Sequence, residues 1–232
     1  MHVLTLASQK GGSGKTTLAG HLAVQAARSG FGRVAVIDTD PQGSLSDWWN
    51  ARADPTPEFA ETVMETLQRD LTALATAGVD LLVVDTPPAI TDTIESVIRL
   101  SDLVVVPTRP SPHDLRAAGA TVDLVEGAGK PLVFVVNAGK MRARITGEAA
   151  VALSQHGTVA PATIHQRNDF AASMIDGRTA ADLDASSRSA REVAELWSYL
   201  ANRLRGERRE TVLTGAREEP AKTPLTPAGT EA

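Results

Sequence analysis

The apolar residues of this chain fall into six short runs, which are separated by longer stretches of mixed polarity. Each run is rich in Val, Ile and Leu and is nearly continuous rather than alternating, which is typical of strands buried on both faces of a parallel sheet. The runs cover residues 2–8, 33–40, 79–88, 101–110, 130–139 and 158–164. The pattern therefore predicts a sheet that is mostly parallel.

The stretches that connect these runs predict helices. The predicted helices cover residues 15–29, 58–77, 91–100, 114–126, 147–156 and 189–204. Strands that alternate with helices predict an α/β, doubly wound fold with right-handed crossovers and helices on both faces of the sheet. We predict one folded domain over residues 1–205. Residues 206–232 are rich in Pro, Thr and Glu, and they predict a disordered polar tail.

Composition excludes several classes of function. The chain has 232 residues and no cysteine, which excludes a disulfide framework, thiolate metal sites and a cysteine nucleophile. We find no secretory signal pattern and no apolar run near the roughly 20 residues that a membrane span needs. We therefore expect a cytoplasmic protein that does not bind membranes. The net charge of −5 means that any binding to nucleic acid would need a local basic face.

The segment SQKGGSGKTT, residues 8–17, predicts a phosphate-binding loop between the first strand and the first helix. Its glycines allow the backbone N–H groups to wrap an anion, and the helix N-terminus favours the same negative charge. Lys15 is expected to contact the β- and γ-phosphates, and Thr16 to place its hydroxyl on Mg²⁺. The predicted nucleotide-binding residues of the loop are Gly11, Gly12, Ser13, Gly14, Lys15, Thr16 and Thr17.

Polar side chains at three strand ends extend this site. Asp85 closes LLVVD, where a carboxylate is expected to hold Mg²⁺ through water, and Asp38 ends the second strand, where it is expected to orient the magnesium shell. Asp40 is expected to position the attacking water for phosphoryl transfer. Together with Thr16, Asp38 and Asp85 form the predicted metal site. Asn137 ends the fifth strand and is expected either to read a nucleotide base or to cap a loop.

The loop departs from the usual P-loop spacing in two ways. Gln9 stands where the first glycine would be, and a second lysine, Lys10, precedes the glycines. With these features, KGGSGKTT, IDTDPQGS and VVDTPP together resemble the ParA/MinD family of deviant Walker ATPases, over residues 1–205. The resemblance implies ATP and Mg²⁺ as cofactors and an ATP-dependent homodimer. It also implies that Lys10 reaches the ATP of the other subunit, so that Lys10, Lys15 and Asp40 are the expected catalytic residues.

Within that family the sequence resembles the short ParA proteins, which lack an N-terminal helix-turn-helix domain. The absence of cysteine excludes the iron–sulfur branch. The resemblance implies sequence-independent binding of the ATP dimer to nucleoid DNA, and a ParB-like or other cargo-adaptor protein that stimulates hydrolysis. Arg167, Arg188 and Arg191 are the candidate DNA contacts, with ordinary surface charge as the alternative for each.

Two other functions stay open at this level. One is a MinD-type ATPase that cycles on a membrane, and the other is a metabolic P-loop enzyme of the same fold. The last predicted helix bears on the first alternative, because it is amphipathic; we expect its apolar face to pack on the core rather than to enter lipid. The apolar face comprises Val193, Leu196, Trp197, Leu200 and Leu204. A plasmid, a chromosome region and a large protein assembly are all compatible cargoes.

Overall fold

The computed structural model describes residues 1–89 and 92–215, and in this part of the chain all strands join one parallel sheet. The spatial order is β3-β2-β4-β1-β5-β6-β7, and β8 also pairs with β6. The strands are β1 (His2–Leu6), β2 (Val34–Asp38), β3 (Glu58–Phe59), β4 (Leu81–Asp85), β5 (Leu103–Thr108), β6 (Leu132–Gly139), β7 (Thr158–Val159) and β8 (Ile164–His165). The order of the strands reverses beside β1, which is typical of a doubly wound sheet.

Helices connect the strands and cover both faces of the sheet. The helices within the described residues are α1 (Lys15–Arg28), α2 (Ser44–Asn50), α3 (Leu67–Thr76), α4 (Asp92–Leu100), α5 (Pro112–Gly127), α6 (Arg144–Ser154), α7 (Asn168–Met174), α8 (Ala180–Leu183) and α9 (Arg188–Gly215). None of the helices in residues 1–89 and 92–215 is long and apolar enough to cross a membrane.

The buried residues of each strand divide between two sides of the sheet. Leu4 and Leu6 of β1 belong to a cluster with residues of α1 and α9, whereas Val3 packs in a cluster with residues of α3. On the same side of the sheet as α3, Val104 and Val106 of β5 pack with residues of α4 and α5. This two-sided burial explains why the strand sequences are continuously apolar, and it confirms the predicted fold class.

The predicted helix over residues 58–77 is wrong in its first part. Glu58 and Phe59 form the edge strand β3 instead, and the helix α3 begins only at Leu67. Three contacts hold this segment in the sheet. Arg33 binds both carboxylate oxygens of Glu58 at 2.6 and 2.7 Å, the N–H of Ala60 donates to the carbonyl of Val36, and the Phe59 ring packs 5.4 Å from that of Trp49. These contacts come from other segments, so the local pattern does not show them.

The predicted single strand over residues 158–164 is also wrong, because it is split into β7 and β8. Pro161 lies in the gap, where it cannot donate a hydrogen bond to a ladder. The short helices α2, α7 and α8 were not predicted. Helix α9 extends to Gly215, past its predicted end at Leu204. Residues 90–91 of a predicted helix and 216–232 of the predicted tail lie outside the described residues, and the division into a domain and a tail stays a prediction.

Candidate nucleotide-binding site

The carboxyl ends of β1, β2 and β4 meet at one edge of the sheet. Leu6 of β1 is in register with Asp85 of β4, which is in turn in register with Asp38 of β2. The loop of residues 7–14 leaves β1 at this edge and leads into α1. The structure therefore brings the glycine loop and both strand-end carboxylates together, at the position where open α/β sheets bind ligands.

The glycine loop has a backbone conformation that favours glycine at two positions. Gly12 and Gly14 have φ angles of +72° and +98°, and Gly14 directly precedes α1. Among the described residues, no side chain caps the N-terminus of α1, so its first N–H groups are left for a ligand. A Cβ atom on Gly14 would lie 2.1 Å from the side-chain nitrogen of Asn137, which donates to the carbonyl of Ser13 at 2.6 Å.

Lys15 lies inside the site. It is 6 % exposed, and its ammonium donates to the carbonyl of Ser8 at 3.2 Å, its single hydrogen bond among the described residues. Burial lowers the pKa of Lys15, while the charges of Asp85 and Asp40 act in the opposite direction. An ammonium has three N–H donors, so this group has donors left for an anion.

Thr16 and Asp85 form the pair that fits a magnesium ion. The Thr16 hydroxyl donates to one oxygen of Asp85 at 2.5 Å, and the other Asp85 oxygen is buried without a partner among the described residues. Burial raises the pKa of Asp85 to about 7, repulsion by Asp38 adds to the rise, and the Thr16 hydrogen bond opposes it. A buried carboxylate oxygen without a partner is a favourable ligand for a divalent cation or its bound water.

The chemistry of magnesium fits a site with so few protein ligands. Among the described residues, no group of three or more His, Cys, Asp or Glu side chains lies close enough to hold a metal ion. Mg²⁺ is commonly bound through one or two carboxylates, water and the phosphates of a nucleotide, so Thr16 and Asp85 suffice on the protein side. These residues fit Mg²⁺ bound together with a nucleotide better than Mg²⁺ alone.

Asp38 has its oxygens occupied by backbone N–H groups. One oxygen accepts from Asp40 at 3.0 Å, and the other accepts from Leu45 at 2.9 Å and from Ser46 at 3.0 Å. The carboxylate thus caps α2 and fixes the turn that carries Asp40. Its role in the magnesium shell stays a prediction.

Asp40 and Lys15 line the same cavity of about 320 Å³. Asp40 lies at the start of a tight turn, where its side chain accepts from the N–H of Gln42 at 3.0 Å and its carbonyl accepts from the N–H of Gly43 at 2.9 Å. The glycine loop and Arg109 also line this cavity. The arrangement suits a phosphate chain held beside a carboxylate.

A second cavity of about 270 Å³ adjoins the first. Gly14, Thr17 and Arg109 line both cavities. Asn137 and Phe170 line the second cavity but not the first. The amide nitrogen of Asn137 is already bonded to the carbonyl of Ser13. Two adjoining cavities suit a nucleotide, with its phosphates in the first and its nucleoside in the second. Reading of a base by Asn137 stays a prediction.

Lys10 lies apart from this arrangement. Its side chain is exposed and lines neither cavity, and its backbone N–H donates to the Ser8 hydroxyl at 3.3 Å. The two lysines of the loop are therefore separated, with Lys15 directed to the cavity of its own chain and Lys10 to the surface.

The three predicted DNA contacts lie in two different environments. Arg188 and Arg191 are exposed in the first turn of α9. Arg167 forms a 2.5 Å ion pair with Glu192, is 18 % exposed in its side chain, and lines the second cavity. Glu192 also accepts from the backbone N–H and the ring of His165. The structure does not bring Arg167 together with the other two as one exposed set, and DNA binding by each stays a prediction.

Sequence reasoning missed two residues near the site. Arg109 follows β5 at the carboxyl edge of the sheet, and the position after a strand at this edge was the available signal. His21 lies on α1 within the core, where its Nδ1 donates to the carbonyl of Thr17 at 2.8 Å and its Nε2 accepts from the N–H of Ala180 at 3.0 Å. Burial lowers the pKa of His21 to about 4, which agrees with a neutral ring. No local signal indicates this contact.

The parallel sheet, the glycine loop at its carboxyl edge and the buried lysine define a P-loop nucleotide-binding protein. Comparison with known families identifies it further. The model of the CobQ/CobB/MinD/ParA nucleotide binding domain matches residues 4–226, so the chain belongs to this family. The predicted resemblance is thereby confirmed, and the chain is a ParA/MinD-type ATPase.

The chain is also similar to individual members of this family. The chain is similar to the maintenance of carboxysome distribution protein A of Halothiobacillus neapolitanus, with 29 % identity over 81 % of this chain and 90 % of the relative. The protein of the same name from Gloeobacter kilaueensis is 42 % identical over 52 % of this chain and 55 % of its own length. The structure of apo McdA from Cyanothece has the same fold, with a TM-score of 0.72, 18 % identity, and coverage of 87 % of this chain and 99 % of that one.

Proposed function

We propose that this protein is an ATP-switched positioning ATPase. Its ATP-bound homodimer binds DNA without sequence preference, and hydrolysis, stimulated by an adaptor protein on the cargo, returns it to monomers. The observation that carries the proposal is the separation of the two loop lysines. Lys15 is buried in the cavity of its own chain, whereas Lys10 is exposed and lines neither cavity. An exposed lysine at this position is available to the nucleotide of a second subunit.

Each group of the site has a role in the proposed phosphoryl-transfer step. Lys15 and the N-terminal amides of α1 hold the phosphate chain, and Asp40, on the same cavity, orients the attacking water by accepting its hydrogen bond. Magnesium held by Thr16 and Asp85 would neutralise charge on the phosphates. Lys10 of the second subunit stabilises the charge that develops in the transition state.

The relatives favour a large protein assembly as the cargo. Two of them carry the name maintenance of carboxysome distribution protein A, and one of these matches 81 % of this chain. We extend this class of cargo to the present protein, with an adaptor protein linking the ATPase to the assembly. Plasmid or chromosome segregation is the alternative within the same mechanism.

The first half of α9 is packed on the core, which argues against its use as a membrane anchor. Val193, Leu196 and Leu200 are at most 2 % exposed and belong to the cluster that joins α1 to the sheet. An amphipathic membrane helix needs its apolar residues free to enter lipid, and these side chains are already buried. The exposed positions of the same helix include Arg188 and Arg191, which suit phosphate contacts.

Binding to a random-sequence DNA duplex tests the proposal. The protein is measured without nucleotide, with ADP and with ATP, at low and moderate salt. Asp40→Ala should hold the ATP state by slowing hydrolysis by about a hundredfold. Binding only with ATP, weakened by salt, is the expected result. Asp47→Ala, an exposed carboxylate on α2, is the matched control and should hydrolyse ATP at the parent rate. Absence of binding in every nucleotide state would remove DNA from the proposal.

A further inference from the structure

Arg109 lies at the junction of the two cavities. A Cβ atom added to Gly12 would lie 3.8 Å from one terminal nitrogen of the Arg109 guanidinium and 3.9 Å from the other. The guanidinium is therefore held over the glycine loop, and it borders both the phosphate cavity and the adjoining cavity. A nucleotide that occupies both cavities passes beside this cation.

Among the described residues, the Arg109 guanidinium has no partner that would compete with a ligand. Within residues 1–89 and 92–215 it makes no hydrogen bond and no ion pair, whereas Arg52 and Arg167 are held by carboxylates. Asp40 lines the same cavity but does not pair with it. Because an arginine side chain stays charged at any physiological pH, an exposed cation is available here for an anion.

The segment that carries Arg109 is rigid for three reasons. Strand β5 is paired on both sides, with β1 and with β6. Pro110 follows Arg109 directly and restricts its backbone to extended conformations. The next residue, Ser111, caps α5 by accepting from the N–H of Asp114 at 3.2 Å. A side chain on such a segment loses little backbone freedom when it binds.

We propose that Arg109 is a further nucleotide-binding residue, which contacts the phosphate chain of the nucleotide held in its own protomer. A planar guanidinium matches the paired oxygens of a phosphate, and its charge adds to that of Lys15. The inference rests on the proposed position of the nucleotide phosphates. The segment PTRPS, residues 107–111, would thus supply a second cation to the phosphates, which neither the glycine loop backbone nor the acidic residues can provide.

Titration with Mg-ADP tests the assignment, because ADP does not require the dimer. Arg109→Ala should weaken ADP binding by about tenfold without lowering the melting temperature, since the side chain is exposed. Arg109→Lys should recover part of the affinity, because lysine keeps the charge but not the paired donors, and Arg109→Gln should recover less, because it lacks the charge. Arg116→Ala removes an exposed arginine of α5 and should bind ADP as the parent does.

Three outcomes would overturn the inference, and a further variant separates it from the nucleotide site itself. Unchanged ADP affinity in Arg109→Ala would remove the contact, and equal recovery by lysine and glutamine would exclude a contact with phosphate charge. Weakening for ATP alone, under conditions of dimerisation, would place the contact across the dimer. If Lys15→Ala loses ADP binding while Arg109→Ala does not, the nucleotide site stands and only this inference fails.

Discussion

The glycine loop and the arginines of the carboxyl-terminal part show two different relations between sequence and environment. In the loop, residues 8–17, consecutive residues form the wall of the phosphate cavity, and Gly12 and Gly14 have positive φ angles. In the second region, Arg167 and Arg188 are the same residue type, but one pairs with Glu192 and the other is exposed. The type of a residue therefore indicates its role where neighbours in sequence form the site. It is a poor indicator where contacts with distant segments determine whether the residue is buried.

The largest expected effect separates the two lysines within the loop. Lys15→Ala should weaken binding of Mg-ATP by about a thousandfold, or about 4 kcal/mol, because it removes a buried charge from the phosphate cavity. Lys10→Ala should leave nucleotide binding by the monomer within about twofold and should weaken ATP-dependent dimerisation. Fluorescence titration measures the first effect, and light scattering with ATP measures the second. Parent-like dimerisation of Lys10→Ala would contradict the separate roles.

A smaller effect is expected where the helix that follows the glycine loop meets the carboxyl-terminal part of the chain. There His21 of α1 contacts the N-terminus of α8. The folded pKa of about 4 lies below the ordinary value of 6.5, so the unfolded chain takes up the proton first as the pH falls. The stabilisation by the neutral ring is therefore complete above about pH 6.5 and is lost progressively toward pH 4. Asp182 raises the pKa and Arg52 lowers it, and both contributions are smaller than that of burial.

Comparison with His21→Gln isolates this effect, because Asp85 and the other titrating groups are common to both proteins. The difference in the free energy of unfolding between parent and variant should shrink by about 2–3 kcal/mol between pH 7 and pH 4.5. Denaturant titration at several pH values measures it. His156→Gln, at an exposed histidine, is the control for the loss of a histidine outside the core. A constant difference for His21→Gln would contradict the neutral, buried ring.

The smallest expected effect compares the two kinds of arginine directly. Arg167→Ala should lower the free energy of unfolding by about 2 kcal/mol, because it leaves the half-buried carboxylate of Glu192 without its strongest partner. Arg188→Ala should leave stability within about 0.5 kcal/mol and weaken DNA binding about threefold, with a shallower salt dependence. Thermal unfolding and DNA titration of both variants check this. A stable Arg167→Ala that loses DNA binding would make Arg167 a DNA contact after all.

The sequence predicted most of the central sheet and of the loop. The reason is that β1, β2, β4, β5 and β6 are buried on both faces and so carry continuous apolar runs. Lys15, Thr16 and Asp85 lie together in the structure, since the carboxyl ends of parallel strands meet. Features that depend on a single residue type at a fixed spacing were therefore within reach of sequence analysis.

Features that depend on contacts between distant segments were not. The two-residue strand β3 is too short for a periodic signal, and Arg33 and Val36 hold it in place from another segment. For the same reason neither His21 nor Arg109 carried a motif, and only the position of Arg109 after a strand gave a partial signal.

Trp48 of α2 is an intrinsic fluorophore at a packed position of the fold. Its ring is packed so closely against α1 that a Cβ atom on Gly20 would lie 3.2 Å from it, and its indole nitrogen donates to the carbonyl of Arg178 at 3.0 Å. The same helix begins beside the turn that carries Asp40. Tryptophan emission depends on local polarity, so any displacement of α2 would change the emission of Trp48. Trp49 and Trp197 also emit, so a variant that keeps Trp48 as its one tryptophan would report on α2 without a label.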